Sequence, residues 1–209
     1  MWQFGIFDWD GTLANSKEFF RKIMGLISRF NNPDLLYMLS SCTVFQRLPL
    51  LKNYEKLAVR LDRLFFDLSD FTDRKKVKIY RGAREVLEDL SKNGVRLFVS
   101  TVSKTHSTAE RLSRLGLLQC FTMILGADIL PKKEHPSRFA EFSGKDLKDF
   151  CENSFWVGDT THDMILAKSF GIYPIGITNT LPLEILKEAG AEKVIKEWEE
   201  LPDLLKVLK

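Results

Sequence analysis

Two carboxylates separated by one residue, Asp8 and Asp10, close a short apolar run near the N-terminus, Phe4-Gly5-Ile6-Phe7-Asp8-Trp9-Asp10-Gly11-Thr12-Leu13. Phe4, Ile6, Phe7 and Trp9 are aromatic or β-branched, and Gly11-Thr12 is a turn signal. The pattern predicts a buried strand that runs into an acidic turn. Two negative charges at the end of a buried strand are costly unless something compensates them. A divalent cation and an incoming phosphate are the compensation expected here. A carboxylate bound to Mg²⁺ can attack phosphorus and form an aspartyl-phosphate. A second carboxylate two residues on points the same way along an extended chain, where it can protonate a leaving alcohol and then activate water. The competing reading is a strand that merely ends in an acidic turn.

The elements that must position this pair follow in order. Ser16 to Lys78 reads as helical, with Phe19, Phe20, Ile23, Met24, Ile27 and Phe30 at helical spacing and a second stripe at Leu57, Leu61, Leu64 and Phe65. The pattern then changes to strands alternating with helices. Strands are expected at 95–101, 121–125, 154–157 and 173–177, with an edge strand at 193–195. Helices are expected at 82–93, 105–115, 137–142, 145–150, 163–170, 182–189 and 198–208. Alternation of this kind means a parallel sheet covered on both faces. The predicted fold class is α/β, a Rossmann-like parallel sheet core with an inserted all-helical cap domain. Residues 1–15 and 79–209 form the core and 16–78 the cap.

In open parallel sheets, ligands bind at the carboxyl ends of the strands. The first strand ends in Asp8 and Asp10, the second in Ser100-Thr101, and the fourth in Gly158-Asp159-Thr160-Thr161-His162-Asp163. The loop after the third carries Lys132 and Lys133. All are expected on one rim. A transferring phosphoryl group spreads charge over its oxygens, so a lysine, a hydroxyl and backbone N–H groups should hold it. Mg²⁺ takes few protein ligands, mostly oxygen, and Asp8, Asp159 and a backbone carbonyl would suffice.

Composition narrows the class. Hydrophobic residues are 44% and charged residues 28% of the 209 residues, a globular balance. No apolar run is long enough to span a bilayer, and the N-terminus lacks the basic and apolar regions of a signal peptide. Three scattered cysteines without a CxxC predict free thiols in a reducing compartment, hence a cytoplasmic protein. The net charge of +3 is too small to imply nucleic acid. It is unevenly spread: residues 16–78 hold 13 Lys and Arg against 7 Asp and Glu. A basic insert beside an acidic remainder fits one unit that holds a metal and another that attracts an anion; a solvated helical surface gives the same count.

The motifs together resemble the haloacid dehalogenase superfamily. Asp8-Trp9-Asp10-Gly11-Thr12-Leu13 and Gly158-Asp159-Thr160-Thr161-His162-Asp163 are similar to its first and fourth motifs. Leu97-Phe98-Val99-Ser100-Thr101 resembles the second, and Lys133-Glu134-His135-Pro136 the third. Tyr80-Arg81-Gly82-Ala83-Arg84-Glu85 resembles the re-entry from cap to core. The resemblance implies that Asp8 is nucleophile and metal ligand. Asp10 is implied as acid/base and, through its carbonyl, as a ligand. Thr101 is the implied phosphate-binding hydroxyl, Lys133 the site lysine, Asp159 a further ligand and Asp163 the fourth motif's second acid. Ser100 remains an alternative to Thr101; alternation along the strand and the following Ser103-Lys104 favour Thr101. Lys132 remains an alternative to Lys133; the position of Pro136 favours Lys133. Asp163 also reads as a carboxylate stabilised at a helix N-terminus. His106, His135 and His162 read as surface residues.

The expected activity is an Mg²⁺-dependent phosphatase acting on a small phosphorylated metabolite, with no nucleic-acid or membrane partner. Arg47 of the insert is a candidate substrate contact; a helix-loop surface arginine is the competing reading. The nearest rival is a hexose-phosphate mutase, which also keeps the acid at Asp10. A phospho-aspartate signalling receiver or a non-catalytic binding protein is more remote.

Overall fold

The computed structural model describes residues 2–15 and 77–208. The chain divides into two units, Met1–Asn15 with Lys78–Lys209 and Ser16–Val77. The helical reading of the insert, and Arg47 within it, fall outside the described residues.

Six strands form one parallel sheet: β1 (Phe4–Phe7), β2 (Arg96–Ser100), β3 (Phe121–Leu125), β4 (Ser154–Gly158), β5 (Tyr173–Ile177) and β6 (Lys193–Ile195), in the order β3-β2-β1-β4-β5-β6. This is the expected Rossmann-like α/β architecture. Seven helices are described, six between strands and one after the last: α1 (Ala83–Lys92), α2 (Thr105–Arg114), α3 (His135–Phe142), α4 (Leu147–Glu152), α5 (Thr161–Phe170), α6 (Leu183–Glu188) and α7 (Leu201–Val207). With helices on its faces the sheet buries both sides, which is why β1 and β4 are apolar almost throughout instead of alternating with polar residues. Phe4 and Ile6 pack on one side with Phe98, Phe139, Phe150 and Trp156. Phe7, one step out of phase, meets Phe155 and Trp198, with ring centroids 5.8 and 5.9 Å away.

The helices form for local reasons. In α1, Ala83, Val86, Leu87 and Leu90 give the i, i+3, i+4, i+7 stripe that faces the core. The Thr160 side chain caps α5 by accepting from the Asp163 N–H, and Gly171, in the left-handed conformation at φ 73°, ends it. Helix α3 begins two residues earlier than the sequence pattern suggests. Pro136 falls in its first turn, where a missing N–H removes no hydrogen bond. The terminal helix is shorter than expected because Trp198–Glu200 forms a 3₁₀ turn ahead of it.

The chain leaves and re-enters this unit at adjoining points. Asn15 N–H donates to the Lys78 carbonyl at 2.8 Å, and Tyr80 N–H donates to the Leu13 carbonyl at 3.0 Å. Ala14 and Ile79 form an antiparallel bridge. Paired legs allow 62 residues, Ser16–Val77, to be inserted without opening the sheet.

The aromatic core is the main source of stability available to this unit. Phe139 is fully buried, and its ring centroid lies 4.7 Å from that of Phe98. Phe139→Ala is expected to cost about 3–5 kcal/mol in urea denaturation. Phe142→Ala, one turn on and 52% exposed, should change stability by less than about 0.5 kcal/mol. Equal effects would contradict this assignment of the core.

Candidate active site

In the strand order the chain steps from β1 to β2 and β3 on one side, then crosses back to β4 on the other. In open parallel sheets ligands bind beyond the strand carboxyl ends at such a reversal, here the ends of β1 and β4. Asp8 follows β1, and its N–H donates to the Val157 carbonyl at 3.0 Å, so it is held to the last turn of β4. Asp159 follows β4 directly, and Asp163 lies in the first turn of α5. Oxygens of Asp8, Asp159 and Asp163 lie within 4.8 Å of one another, and all three residues are buried.

An ammonium and threonine hydroxyls donate to this triad. Lys132 Nζ donates to Asp8 Oδ1 at 2.6 Å and to Asp163 Oδ1 at 2.8 Å. Asp163 also accepts from the Thr160 hydroxyl. Thr12 Oγ1 donates to Asp159 Oδ1 at 2.7 Å. Gly11 has φ +77°, and a Cβ placed there would lie 2.0 Å from Asp159 Oδ2. Only glycine allows the first turn to approach that carboxylate so closely.

Burial raises the Asp8 carboxyl well above the usual range; Lys132 opposes this, while Asp163 and Asp159 add to it. Burial and then the Asp163 charge push Asp159 up to about 7. Burial disfavours the Lys132 ammonium, but Asp163 and Asp8 outweigh it and hold the group charged. When ionised, three carboxylates against one ammonium leave an excess negative charge in a dry site. An all-oxygen donor set with that imbalance suits a hard divalent cation, so these residues fit a metal.

The remaining expected residues lie around the same rim. Asp10 is only half-buried, and its Oδ2 accepts from Ser103 Oγ at 2.5 Å. Its carboxylate is therefore directed to the loop after β2, and the carboxylate cluster consists of Asp8, Asp159 and Asp163. Thr101 is buried, and its Oγ1 accepts from the Ser103 N–H at 3.0 Å. Ser100, the alternative, turns instead to His135 Nδ1 at 2.8 Å.

Two expectations are corrected. Lys133 is exposed, and Lys132 holds the central position. The 3₁₀ turn Lys132–Glu134 leads into α3, and at three residues per turn Lys132 and His135 share one face while Lys133 and Glu134 point outward. Spacing from Pro136 misplaced the lysine by one residue. A sequence signal was available: Lys132, His135 and Phe139 are separated by three and then four residues, on the buried stripe. His135, expected at the surface, is fully buried. His106 and His162 are exposed.

A model of the haloacid dehalogenase-like hydrolase family matches residues 5–177. The chain belongs to this family. It is 34% identical over 85 residues to a phosphoglycolate phosphatase of Neisseria gonorrhoeae, a match covering 41% of this chain and 36% of that protein. It is 30% identical over 125 residues to a probable phosphatase IndB of Dickeya dadantii, covering 59% and 54%. The matches thus span about a third to a half of these curated relatives. A predicted phosphatase from Clostridium acetobutylicum has the same fold, with a TM-score of 0.76 over 99% of both chains at 24% identity. Asp8, Asp159 and Asp163 all lie within the matched residues. No described helix is long and apolar enough to cross a membrane.

Two outcomes follow for the metal-free protein. Lys132→Met strands the Asp8 and Asp163 charges and should cost about 3–5 kcal/mol in denaturation at neutral pH; Lys133→Met should cost less than about 0.5 kcal/mol. Asp159 binds a proton in the folded state that the unfolded chain has released. Its stabilisation is complete below the ordinary value of 3.8 and lost as pH rises through about 7. Thermal melts should therefore fall across that window. A divalent cation held by these carboxylates would have to displace the proton, so any Tm increase on adding one should be larger at about pH 8 than at about pH 5. An increase independent of pH would exclude this coupling.

Proposed function

We propose that this hydrolase is a divalent-metal-dependent phosphatase, with Mg²⁺ as the ion, acting on a small soluble phosphomonoester through an aspartyl-phosphate on Asp8. The observation that carries the reading is the buried triad of Asp8, Asp159 and Asp163 braced by Lys132 at the sheet's reversal point. Asp8, Asp159, Asp163 and the Asp10 backbone carbonyl are the proposed metal ligands. The ion supplies charge neutralisation that lets a phosphate dianion approach a carboxylate.

An Asp8 carboxylate oxygen forms the bond to phosphorus, and the bond to the ester oxygen breaks. Asp10, protonated at that stage, gives its proton to the leaving alcohol. As a carboxylate it then takes a proton from water, whose oxygen attacks phosphorus, releasing phosphate and restoring Asp8. Thr101 Oγ and Lys132 Nζ hold the phosphoryl oxygens. Lys132 is already bonded to Asp8 and Asp163, so its charge needs little reorganisation as the reaction proceeds. Ser103 holds Asp10 at the mouth of the site. The cytoplasm is the proposed location, and the choice of ester is assigned to the 16–78 segment.

Release of phosphate from 4-nitrophenyl phosphate tests the reading. Activity should require Mg²⁺ and vanish in Asp8→Asn. Asp10→Asn should lower kcat by about 10²–10⁴-fold. Radiolabelled phosphate should be trapped on the wild-type chain after acid quench, and retention of activity in Asp8→Asn would rule the mechanism out. Isomerisation of a hexose phosphate primed by its bisphosphate, with little net phosphate release, would indicate the mutase instead.

A further inference from the structure

His135 is a fully buried imidazole with no part in the chemistry above. Its Nε2 lies 2.9 Å from the Leu130 carbonyl, a group that can only accept, so Nε2 carries the proton. Nδ1 is left as the acceptor for the Ser100 hydroxyl at 2.8 Å. Burial lowers the ring to about 4, opposed first by the hydrogen bond to the Leu130 carbonyl and aided by the Lys132 charge, with the Gly126 backbone and Asp128 opposing less, so the neutral form persists at neutral pH. The Phe139 ring, centroid 6.0 Å away, packs beside it.

The bonded groups occupy informative places. Ser100 is the last residue of β2 and immediately precedes Thr101. Leu130 comes two residues before Lys132, and His135 three residues after it. One ring therefore joins the β2 end to the loop on both sides of the lysine. The same loop is tied a second time: the Thr105 N–H and hydroxyl both donate to Asp128 Oδ1, at 2.8 and 3.0 Å, and the Gly126 N–H donates to Thr105 Oγ1 at 2.8 Å. Gly126 has no room for a side chain, since a Cβ there would lie 2.1 Å from the Ser103 carbonyl oxygen.

We propose that His135 is a positioning residue: by bonding Ser100 and Leu130 together it fixes the Lys132 loop against the end of β2 and so sets the place of the Lys132 ammonium relative to Asp8. The inference rests on the phosphatase reading for its kinetic consequence alone. A displacement of the ammonium by a fraction of an ångström weakens its bond to Asp8 and its hold on the transferring group, while the carboxylate ligands stay on their own elements.

Three variants separate positioning from core filling. Ser100→Ala removes one tie. His135→Gln keeps an amide N–H near the Nε2 position and loses the acceptor for Ser100. His135→Phe fills the space and removes both ties. In metal-free protein, ¹⁵N NMR of the Lys132 ammonium should show slow proton exchange in the wild type, faster exchange in Ser100→Ala and His135→Gln, and the fastest in His135→Phe. With Mg²⁺ and 4-nitrophenyl phosphate, Ser100→Ala and His135→Gln should each lower kcat about ten-fold with KM and the Mg²⁺ requirement nearly unchanged. The double variant should be no slower than either single one, because both remove the same bond. Unchanged ammonium exchange and kcat in variants that lose only Tm would overturn the proposal. If His135→Phe does not fold, Ser100→Ala decides by the same two readouts. A wild type without phosphatase activity would overturn the previous section's reading, and the exchange measurement alone would then decide this one.

Discussion

Three carboxylates are buried within 4.8 Å of one another, with one ammonium between two of them. Like charges so close in a low-dielectric site repel strongly, and a fold accepts them only where other groups hold them in place. Here each carboxylate is anchored separately. The Asp8 backbone extends the β1–β4 pairing, Asp159 accepts from Thr12, and Asp163 sits in the capped first turn of α5. Gly11 and Gly158 carry the same constraint in steric form: a Cβ at Gly11 would collide with Asp159, and one at Gly158 with Asp163. The fold therefore holds the negative charge together against its own repulsion, and the remaining imbalance is what makes the site receptive to a cation.

That arrangement was readable in the sequence where it depends on strand ends. An apolar run followed directly by an acidic residue has one physical outcome in a covered parallel sheet: the run is buried and the carboxylate emerges at the carboxyl edge. Asp8 and Asp159 follow this pattern, and Thr101 follows it beside them. The edge strand Lys193–Ile195 was also visible, as a short β-branched pair after a turn. Strand and helix ends were less legible. Helix α3 begins inside a stretch whose polar residues hide the start, and the proline there favours a first turn more than a break.

Motif spacing does not locate the lysine because loops have no fixed period. A motif spacing counts residues, whereas the side chain's direction depends on whether the turn is α or 3₁₀. The inward face here is set by His135, and three residues back from it in the 3₁₀ turn is Lys132, whereas three back from Pro136 is Lys133. The burial of His135 is hidden in the sequence for a related cause. A lone histidine with no partner at metal-ligand spacing suggests solvent, but its partners are a strand-end hydroxyl and a backbone carbonyl, neither of which has a sequence signature. Contacts between residues 35 positions apart arise from the topology, and only the folded sheet brings β2 beside the lysine loop.

Asp8 and Asp10 separate once the chain turns. An extended chain would direct both side chains into one cluster, but β1 ends at Phe7 and the backbone bends through Gly11. Asp8 stays buried, bonded to Lys132, while Asp10 is half-buried and bonded to a neutral hydroxyl. On the proposed reading this division suits two different tasks. A nucleophile must be ionised and aimed, and the ammonium favours both. An acid that gives up a proton and takes one back needs a partner that can follow the proton, and Ser103 can accept or donate as it moves. The same two residue types, two positions apart, thus acquire different chemistry from what the turn places beside each.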